Sequence, residues 1–401
     1  MVKLKTLLSQ PVQNGYSPVC PDDPNGKWVL GLGALSDFGL DTTQIKPAPV
    51  DDSKVDNFLL RPGDFLVSRS NTRDKVGRSA LFKGEIKYCS YPDLMMRFRV
   101  NETHIHPEFL EMYLRSHRAV KYFQRSASGT SGTMVKINKR VVENLQVPLP
   151  SMPEQTAIAA LLFTWDTTIE KTEKLIAAKE KQYSWLLNTL ISPERRHGSW
   201  IKTHLGEIAD IPKKTSVDSV DGKTLLTVKL HCRGIEANTR IKPKLTKRGR
   251  PYYVRHAGEF VIGRQNFHNG GFGIVPNYLD GYIASNAITS ISIDTDKLLP
   301  DFLFFYLSRP NYYKRIGHIM DGTGQKELSD KQILKLSLYL PDVATQKIIV
   351  ETLNSAQQEI DLLRNSSGAY RRQKCGLMQK LLIDEWRIKP EINNQPAEAG
   401  G

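Results

Sequence analysis

Two segments of the chain place an arginine and an asparagine at the same spacing. In each, a glycine and an acid precede three apolar residues, one small residue and an Arg, and an Asn follows two positions later. Arg69 and Asn71 recur as Arg264 and Asn266, at a shift of 195 residues. Guanidinium and amide groups can each make two hydrogen bonds to purine edges in a major groove. The repeated pair therefore indicates side chains suited to base contacts at two places.

Each pair opens a polar loop that holds further candidate contact groups. The candidate residues of the two loops are Arg69, Asn71, Arg73, Lys75, Arg78, Arg264, Gln265, Asn266, His268 and Asn269. Beyond the shared Arg and Asn the loops differ, as expected if each copy recognises a different sequence. A solvated surface loop is the alternative for every one of these residues.

Two other stretches carry groups suited to phosphates. Residues 129–136 and 322–326 combine small hydroxyl residues, glycines and a lysine, which favours a backbone and side-chain phosphate clamp. Residues 240–250 contain six basic residues in eleven. The candidates from these stretches are Thr130, Thr133, Lys136, Thr323, Lys326, Lys244, Lys247, Arg248 and Arg250. Plain solvated loops would explain all three stretches equally simply.

The elements that position these groups are repeated as well. Residues 107–114 are echoed by 300–307 at a shift of 193, and Pro150 and Gln155 are echoed by Pro341 and Gln346 at 191. Two small deletions would produce this drift. Solenoid repeats are about 20–50 residues long, so each copy is a whole domain followed by a further element.

The distribution of charge follows the same division. The chain has 401 residues and a formal net charge of +14. Residues 1–150 contribute +6 and residues 199–341 contribute +8, whereas residues 151–198 and 342–401 are neutral. Two basic blocks joined by neutral segments fit two contacts on one polyanion.

The neutral segments are predicted to be long helices. Residues 151–191 begin with Ser151 and Pro153, typical of a helix start, and Pro193 ends the pattern. The second helix follows Asp342 as N-cap. Apolar residues recur every seven positions at Leu162, Ile169, Ile176, Tyr183 and Leu190, and at Ile349, Ala356, Leu363, Tyr370 and Leu377. The two helices are expected to pair; two core helices of separate domains are the alternative.

These patterns predict an α+β fold in which two mixed α/β domains alternate with two long helices that form an antiparallel intramolecular coiled coil. Buried strands are expected at 65–67 and 260–262. The predicted divisions are 1–150 and 199–341 for the basic domains, 151–198 and 342–389 for the helices, and 390–401 for a disordered tail.

The order of these elements resembles the specificity subunit of a type I restriction-modification enzyme. The resemblance covers residues 1–388 and includes the junction at 147–158, which is similar to the start of the family's first conserved helix. The second junction departs from that pattern, because Thr345 precedes Gln346 where the family usually has Glu.

The resemblance implies two target-recognition domains, each reading half of a bipartite, asymmetric site in double-stranded DNA. It implies that the helices set the spacing and dock two methyltransferase subunits, which use S-adenosylmethionine to methylate adenine. Restriction subunits that use ATP and Mg²⁺ would complete a phage-defence complex. The chain itself is expected to be non-catalytic and to bind no cofactor or metal.

A free-standing DNA-modifying enzyme or nuclease is the alternative from a different class. Asp64 followed by Glu85 and Lys87 resembles the acidic spacing of metal-dependent nucleases, but the second copy keeps only Glu259. No Walker A sequence and no Asn/Asp-Pro-Pro-aromatic segment of an amino-methyltransferase is present.

Composition bounds the remaining expectations. No apolar run reaches the ~18 residues of a membrane span, and the first residues do not resemble a signal peptide, so a cytoplasmic protein without membrane contact is expected. Cys20, Cys89, Cys232 and Cys375 lack zinc-site spacing and are expected to be free thiols.

Overall fold

The computed structural model describes residues 1–37, 39–129, 134–191, 200–245, 249–318, 327–382 and 386–388. It divides into two compact units: Met1–Glu173 with Asn365–Gly401 as unit 1, and Lys174–Arg364 as unit 2. The divisions fall inside the two long helices. They therefore differ from the domain boundaries expected from the sequence, which stay predictions.

Unit 1 combines short strands with helices. Its strands are β1 (Val2–Lys3), β2 (Leu8–Asn14), β3 (Trp28–Leu30), β4 (Leu35–Ser36), β5 (Gly39–Leu40), β6 (Ile45–Pro47), β7 (Asp64–Ser68), β8 (Ser70–Asn71), β9 (Ser79–Phe82), β10 (Cys89–Ser90), β11 (Met95–Val100), β12 (Val135–Lys136) and β13 (Gln146–Val147). Its helices are α1 (Pro107–Leu114), α2 (His117–Ser126), α3 (Lys139–Glu143) and the first part of α4 (Met152–Leu190).

The central sheet of unit 1 has the order β2-β11-β7-β9, and its neighbouring strands are antiparallel. Every residue of β7 is buried, as predicted for 65–67. Phe65 lies opposite Leu81 on one side and Phe98 on the other. Its ring stacks on that of Phe98 with centroids 5.1 Å apart, so the strand lies at the centre of the core.

Unit 2 repeats this arrangement. Its strands are β14 (Ile201–His204), β15 (Ala209–Asp210), β16 (Leu225–Val228), β17 (Ile235–Asn238), β18 (Tyr252–Val254), β19 (Phe260–Gly263), β20 (Phe272–Ile274), β21 (Ile283–Ser285), β22 (Ile288–Ile293) and β23 (Ser337–Leu340). Its helices are the last part of α4, α5 (Pro300–Ser308), α6 (Pro310–Ile316), α7 (Asp330–Leu334) and the first part of α8 (Val343–Leu381). The last part of α8 belongs to unit 1. The sheet β15-β22-β19-β20 corresponds to the central sheet of unit 1, and the buried strand β19 corresponds to β7.

The repeated Gly-acid pair forms the same turn before the central strand. Gly63 has φ of +90° and Gly258 has φ of +83°, a region that glycine adopts without steric cost. The N–H of Asp64 donates to the Arg61 carbonyl at 3.1 Å, and the N–H of Glu259 donates to the His256 carbonyl at 3.1 Å. The turn therefore explains why glycine recurs at this place.

The two predicted helices are present as α4 and α8, each 39 residues long. Asp342 caps α8 by accepting the Thr345 N–H at 2.8 Å, as predicted. In unit 1, Ile158, Leu162 and Leu381 join the hydrophobic core of the unit. In unit 2, the core includes apolar residues of both helices: Leu187 and Ile191, with Ile349 and Leu353. Each end of each helix is thus anchored in a globular core.

The echo of Pro and Gln at a shift of 191 is explained by one repeated set of hydrogen bonds. The Gln155 Oε1 accepts the His106 N–H at 2.7 Å, and its Nε2 donates to the Pro150 carbonyl at 2.9 Å. The Gln346 Oε1 accepts the Leu299 N–H at 2.9 Å, and its Nε2 donates to the Pro341 carbonyl at 3.0 Å. Both glutamines are buried, so each ties the first turn of a long helix to its unit.

The two helices touch within each unit. In unit 1, Asp166 pairs with Lys374, Glu173 pairs with Arg371, and the rings of Trp165 and Tyr370 have centroids 6.0 Å apart. In unit 2, ion pairs join Lys179 to Glu359 at 2.8 Å and Glu180 to Arg364 at 2.6 Å.

Some sequence-based expectations fall outside the described residues. These are the helix end at Pro193 and the tail 390–401. Within the described ranges, no helix is long and apolar enough to cross a membrane. All four cysteines lie in those ranges and are free thiols.

Candidate nucleic-acid interface

Arg69 and Arg264 occupy the same backbone position in the two units. The N–H of Arg69 donates to the Leu94 carbonyl at 2.8 Å, and its carbonyl accepts the Ile137 N–H at 2.9 Å. The N–H of Arg264 donates to the Ala287 carbonyl at 2.9 Å, and its carbonyl accepts the Leu328 N–H at 3.2 Å. The residue that follows the central strand is therefore fixed by the same two main-chain contacts.

The side chains of these two arginines have different partners. Arg69 Nη1 donates to the Asp93 carbonyl at 3.1 Å. The Arg264 guanidinium binds the Thr289 hydroxyl and the Asp330 carboxylate. Arg264 is thus held more firmly, because one of its partners carries a full negative charge.

The two asparagines differ in exposure. Asn71 is 7% exposed, its Nδ2 lies 3.4 Å from the Ser68 hydroxyl, and its Oδ1 accepts the Thr72 N–H at 2.9 Å. Asn266 is exposed at the start of a short 3₁₀ helix, Phe267–Asn269. The two equivalent positions therefore differ: the Asn71 side chain is bonded within its own loop, whereas Asn266 is exposed to solvent.

The other candidates of the first loop surround this turn. Arg73 and Lys75 are exposed, and Arg73 Nη1 donates to the Gln124 carbonyl at 3.2 Å. Arg78 is engaged by Asp37 at 2.8 Å. Lys136 is exposed on β12, directly opposite Ser70. The structure therefore brings Lys136 beside the Arg69 turn, although 67 residues separate them in the sequence.

The counterpart of Lys136 in unit 2 is an acid. Because Ile137 and Leu328 make the same contact to the repeated arginine, Lys136 corresponds to Glu327. Gln265 Nε2 lies 3.5 Å from Glu327 Oε2.

The remaining candidates of unit 2 are spread along its surface. His268 and Asn269 are half-buried, with Asn269 Nδ2 lying 3.1 Å from His268 Nε2. Lys244 and Arg250 are exposed. The remaining candidates of both copies fall outside the described residues: Thr130 and Thr133 in the first, and Lys247, Arg248, Thr323 and Lys326 in the second.

A cleft of about 410 Å³ in unit 2 is lined by basic residues, most of which the sequence did not single out as candidates. Arg264 lines it together with Lys213, Lys214 and Arg255. Lys214 binds Glu259 at 2.5 Å. Burial lowers the pKa of Arg255, and the nearby Glu259 charge opposes that change. The adjacent Lys213 and Lys214, three and four residues after the end of β15, were the available sequence signal.

The acids of the nuclease-like spacing are engaged by the protein itself. Asp64 Oδ1 accepts Arg99 Nε at 2.6 Å, and Asp64 Oδ2 accepts the Arg61 N–H at 2.7 Å. Glu85 Oε2 accepts the Lys83 N–H at 2.8 Å. Within the described ranges, no three or more His, Cys, Asp or Glu residues are grouped to hold a metal ion.

Two regions of the chain, residues 51–180 and 199–367, match the family model of the type I restriction modification DNA specificity domain. Each match includes a central strand, its arginine turn and the start of a long helix. The matches cover well over half of the chain, so the protein belongs to this family of specificity proteins and carries two copies of the domain.

Similar proteins agree with this assignment. The chain is 23% identical to the putative type I restriction enzyme MjaX specificity subunit of Methanocaldococcus jannaschii, over 96% of this chain and 93% of the relative. It is 24% identical to the MjaVIII specificity subunit of the same organism, over 65% and 67%. A crystal structure of the type I restriction-modification S subunit from M. genitalium shares the fold, with a TM-score of 0.60, 14% identity and 95% coverage of both chains.

Proposed function

We propose that this chain is the DNA-reading subunit of a type I restriction-modification complex, in which each copy of the domain contacts one half of a bipartite, asymmetric site. The main support is that Arg69 and Arg264 make the same two main-chain hydrogen bonds, whereas their side chains have different partners. A common scaffold with different surface groups suits two readers of different sequences. The loop residues named above are the candidate contacts.

The two long helices would form one antiparallel coiled coil that sets the spacing of the half-sites. In unit 1, Asp166 of α4 pairs with Lys374 of α8, and the later Glu173 pairs with the earlier Arg371. This order of pairing is what antiparallel helices give. At ~1.5 Å per residue, 39 residues span about 58 Å. At ~3.4 Å per base pair, the halves would then lie within roughly 17 base pairs.

The helices also offer surfaces for partner subunits. In unit 2, Ile348 and Leu362 of α8 lie two heptads apart on one face and are mostly exposed. In unit 1, Phe163 of α4 is exposed as well. Exposed apolar faces of this kind suit protein partners, here two methyltransferase subunits that use S-adenosylmethionine. Restriction subunits would bring ATP and Mg²⁺ chemistry, and this chain would be non-catalytic and bind no cofactor.

A domain exchange tests whether each domain recognises its own half of the DNA site. Residues 1–150 are replaced by the corresponding domain of a relative, and the chain is expressed with its methyltransferase partner. Sequencing of methylated positions in host DNA should show one altered half-site and one unchanged half-site. A change in both halves would contradict independent reading.

A matched deletion tests the spacer. Glu180 pairs with Arg364 and Glu173 pairs with Arg371, so removal of residues 174–180 together with 364–370 takes one heptad from both helices in register. Seven residues at ~1.5 Å correspond to about three base pairs. The spacer should shorten by about that number while both half-sequences persist. Deletion of 174–180 alone is the control and should abolish methylation, because the helices lose register.

The absence of intrinsic catalysis is tested on the purified chain. Incubation with DNA, Mg²⁺ and labelled S-adenosylmethionine should give neither cleavage nor methyl transfer. Either product would support the free-standing enzyme instead.

A further inference from the structure

A cleft of about 510 Å³ in unit 1 contains three arginines that all contact one carboxylate. Arg61, Arg97 and Arg99 line the cleft, together with Gln10 of β2 and Tyr88. None of these residues belongs to the loop after β7. Because side chains on a strand alternate between faces, Arg97 and Arg99 of β11 project to the same side of the sheet.

The carboxylate beneath the cleft belongs to Asp64, which is fully buried. It binds Arg99 Nε at 2.6 Å and the Arg61 N–H at 2.7 Å, and Arg97 Nη1 lies 3.8 Å away. Arg97 Nη2 also donates to Gln13 Oε1 at 2.7 Å. Asp64 therefore fixes the backbone of one arginine and the guanidinium groups of the other two.

The cleft keeps excess positive charge after these contacts. The guanidinium groups of Arg97 and Arg99 face one buried carboxylate, and the Arg61 side chain adds a third positive charge to the cleft. The other acid of the cleft, Asp56, is paired with Lys27 at 2.8 Å. The exposed Arg61 side chain has no ion-pair partner in the part of the chain that the structure describes. The planar donors of Arg97 and Arg99 are held in place and the cleft keeps a net positive charge, which together suit a phosphate group.

An acid that binds a basic side chain also occurs at the equivalent place in unit 2. Glu259 follows the repeated glycine turn as Asp64 does, and it binds Lys214 at the cleft that contains Arg255. The acid that follows the repeated glycine thus binds a cation in both units, although the cations come from different parts of the chain.

We propose that the unit 1 cleft binds phosphate groups of the DNA backbone through Arg61, Arg97 and Arg99, with Asp64 as the residue that positions the guanidinium groups of Arg97 and Arg99. This inference rests on the proposed function, since it names a DNA contact surface of the same protein. Contacts of this type add affinity without sequence preference. The cleft would therefore hold the duplex in register while other residues read bases.

The test measures DNA binding by the full chain with its methyltransferase subunits, at several salt concentrations. Arg61→Gln and Arg97→Gln are compared with Lys121→Gln, an exposed cation on α2 outside the cleft. Each cleft variant should weaken binding equally to the cognate duplex and to a scrambled duplex. The slope of log K against log salt should fall by about 1 per variant, and Lys121→Gln should leave it unchanged.

The outcomes separate the two proposals. If the wild-type complex does not distinguish the cognate from the scrambled duplex, the proposed function fails. If it does distinguish them, but the cleft variants keep the wild-type slope or match Lys121→Gln, the cleft inference is overturned. Arg61 makes no side-chain ion pair among the described residues, so its replacement leaves the fold intact.

Asp64→Asn tests the positioning role. The variant adds one net positive charge, so a simple charge effect would tighten DNA binding, whereas loss of orientation should weaken it. Binding that is tighter or unchanged would overturn the role of Asp64. If this variant does not fold, Arg97→Lys tests the positioning role instead, because lysine keeps the positive charge but lacks the planar set of donors of a guanidinium group. Weaker binding by Arg97→Lys supports positioning, and full retention overturns it.

Discussion

The acid that follows the repeated glycine is buried in one unit and partly exposed in the other. Asp64 is inaccessible and binds Arg99 from the neighbouring strand β11. The Glu259 side chain is 17% exposed and binds Lys214, which follows β15. The longer side chain reaches a cation on a different element. The repeat therefore preserves the position of the charge but not its partner.

The neighbouring strand shows the same separation of scaffold and surface. Arg97 lies opposite Leu66 in unit 1, and Ser290 lies opposite Val261 in unit 2. These positions are equivalent in register, yet one carries a guanidinium and the other a hydroxyl. Main-chain pairing is thus common to both units, whereas the side chain at this position differs.

Removal of the aromatic ring from the central strand tests whether the hydrophobic cores of the two units depend on it equally. Phe65 and Phe260 are both buried, and each stacks on another ring. Phe65→Ala and Phe260→Ala should each lower the free energy of unfolding by about 3–5 kcal/mol, because each leaves a cavity. Urea denaturation gives the values. Phe163→Ala, at an exposed site, should cost under about 0.5 kcal/mol; a small cost for only one of the buried sites would show that the cores differ.

The glutamine contacts should be equivalent in the two units. Gln155→Ala and Gln346→Ala each leave partly buried main-chain groups without their side-chain partner, which costs about 1–3 kcal/mol of unfolding free energy. Thermal unfolding compares them with Gln182→Ala, an exposed position on α4. Costs that differ by more than about 1 kcal/mol would contradict equal anchoring.

The asparagines should separate stability from recognition. Asn71→Ala removes the acceptor for the Thr72 N–H and should destabilise the protein by about 1 kcal/mol. Asn266→Ala should change stability by under about 0.5 kcal/mol, but on the proposed function it should weaken binding to the cognate duplex more than to a scrambled duplex. Calorimetry and binding assays report the two effects. The opposite pattern would reverse the roles assigned from burial.

Thiol reactivity should differ between the units. Burial raises the pKa of Cys89 in unit 1 to about 12, so its thiolate fraction at pH 8 is on the order of 10⁻⁴. Burial also raises the pKa of Cys232 in unit 2, while a hydrogen bond with Ser308 opposes the change. With Cys20 and Cys375 replaced by Ser, iodoacetamide at pH 8 should modify the half-buried Cys232 first, and its rate should rise with pH. Faster labelling of Cys89, measured by mass spectrometry, would contradict the burial difference.

Much of the fold could be predicted because its signals are local. The turn at Gly63, the strand after it and the heptad pattern of α4 depend on residues close in sequence. The clefts could not be predicted in this way. Arg61 and Arg99 meet at Asp64 only because β7 and β11 pair in a particular register.

The sequence by itself determined the duplication, the separation of basic blocks from neutral helices, and the membership of a family with two DNA specificity domains. The tertiary structure decided which polar groups remain available: it buried Asn71, exposed Asn266 and matched Lys136 with Glu327. The reason is physical. Periodicity and turn residues encode elements along the chain, whereas exposure and charge partners arise where distant strands meet.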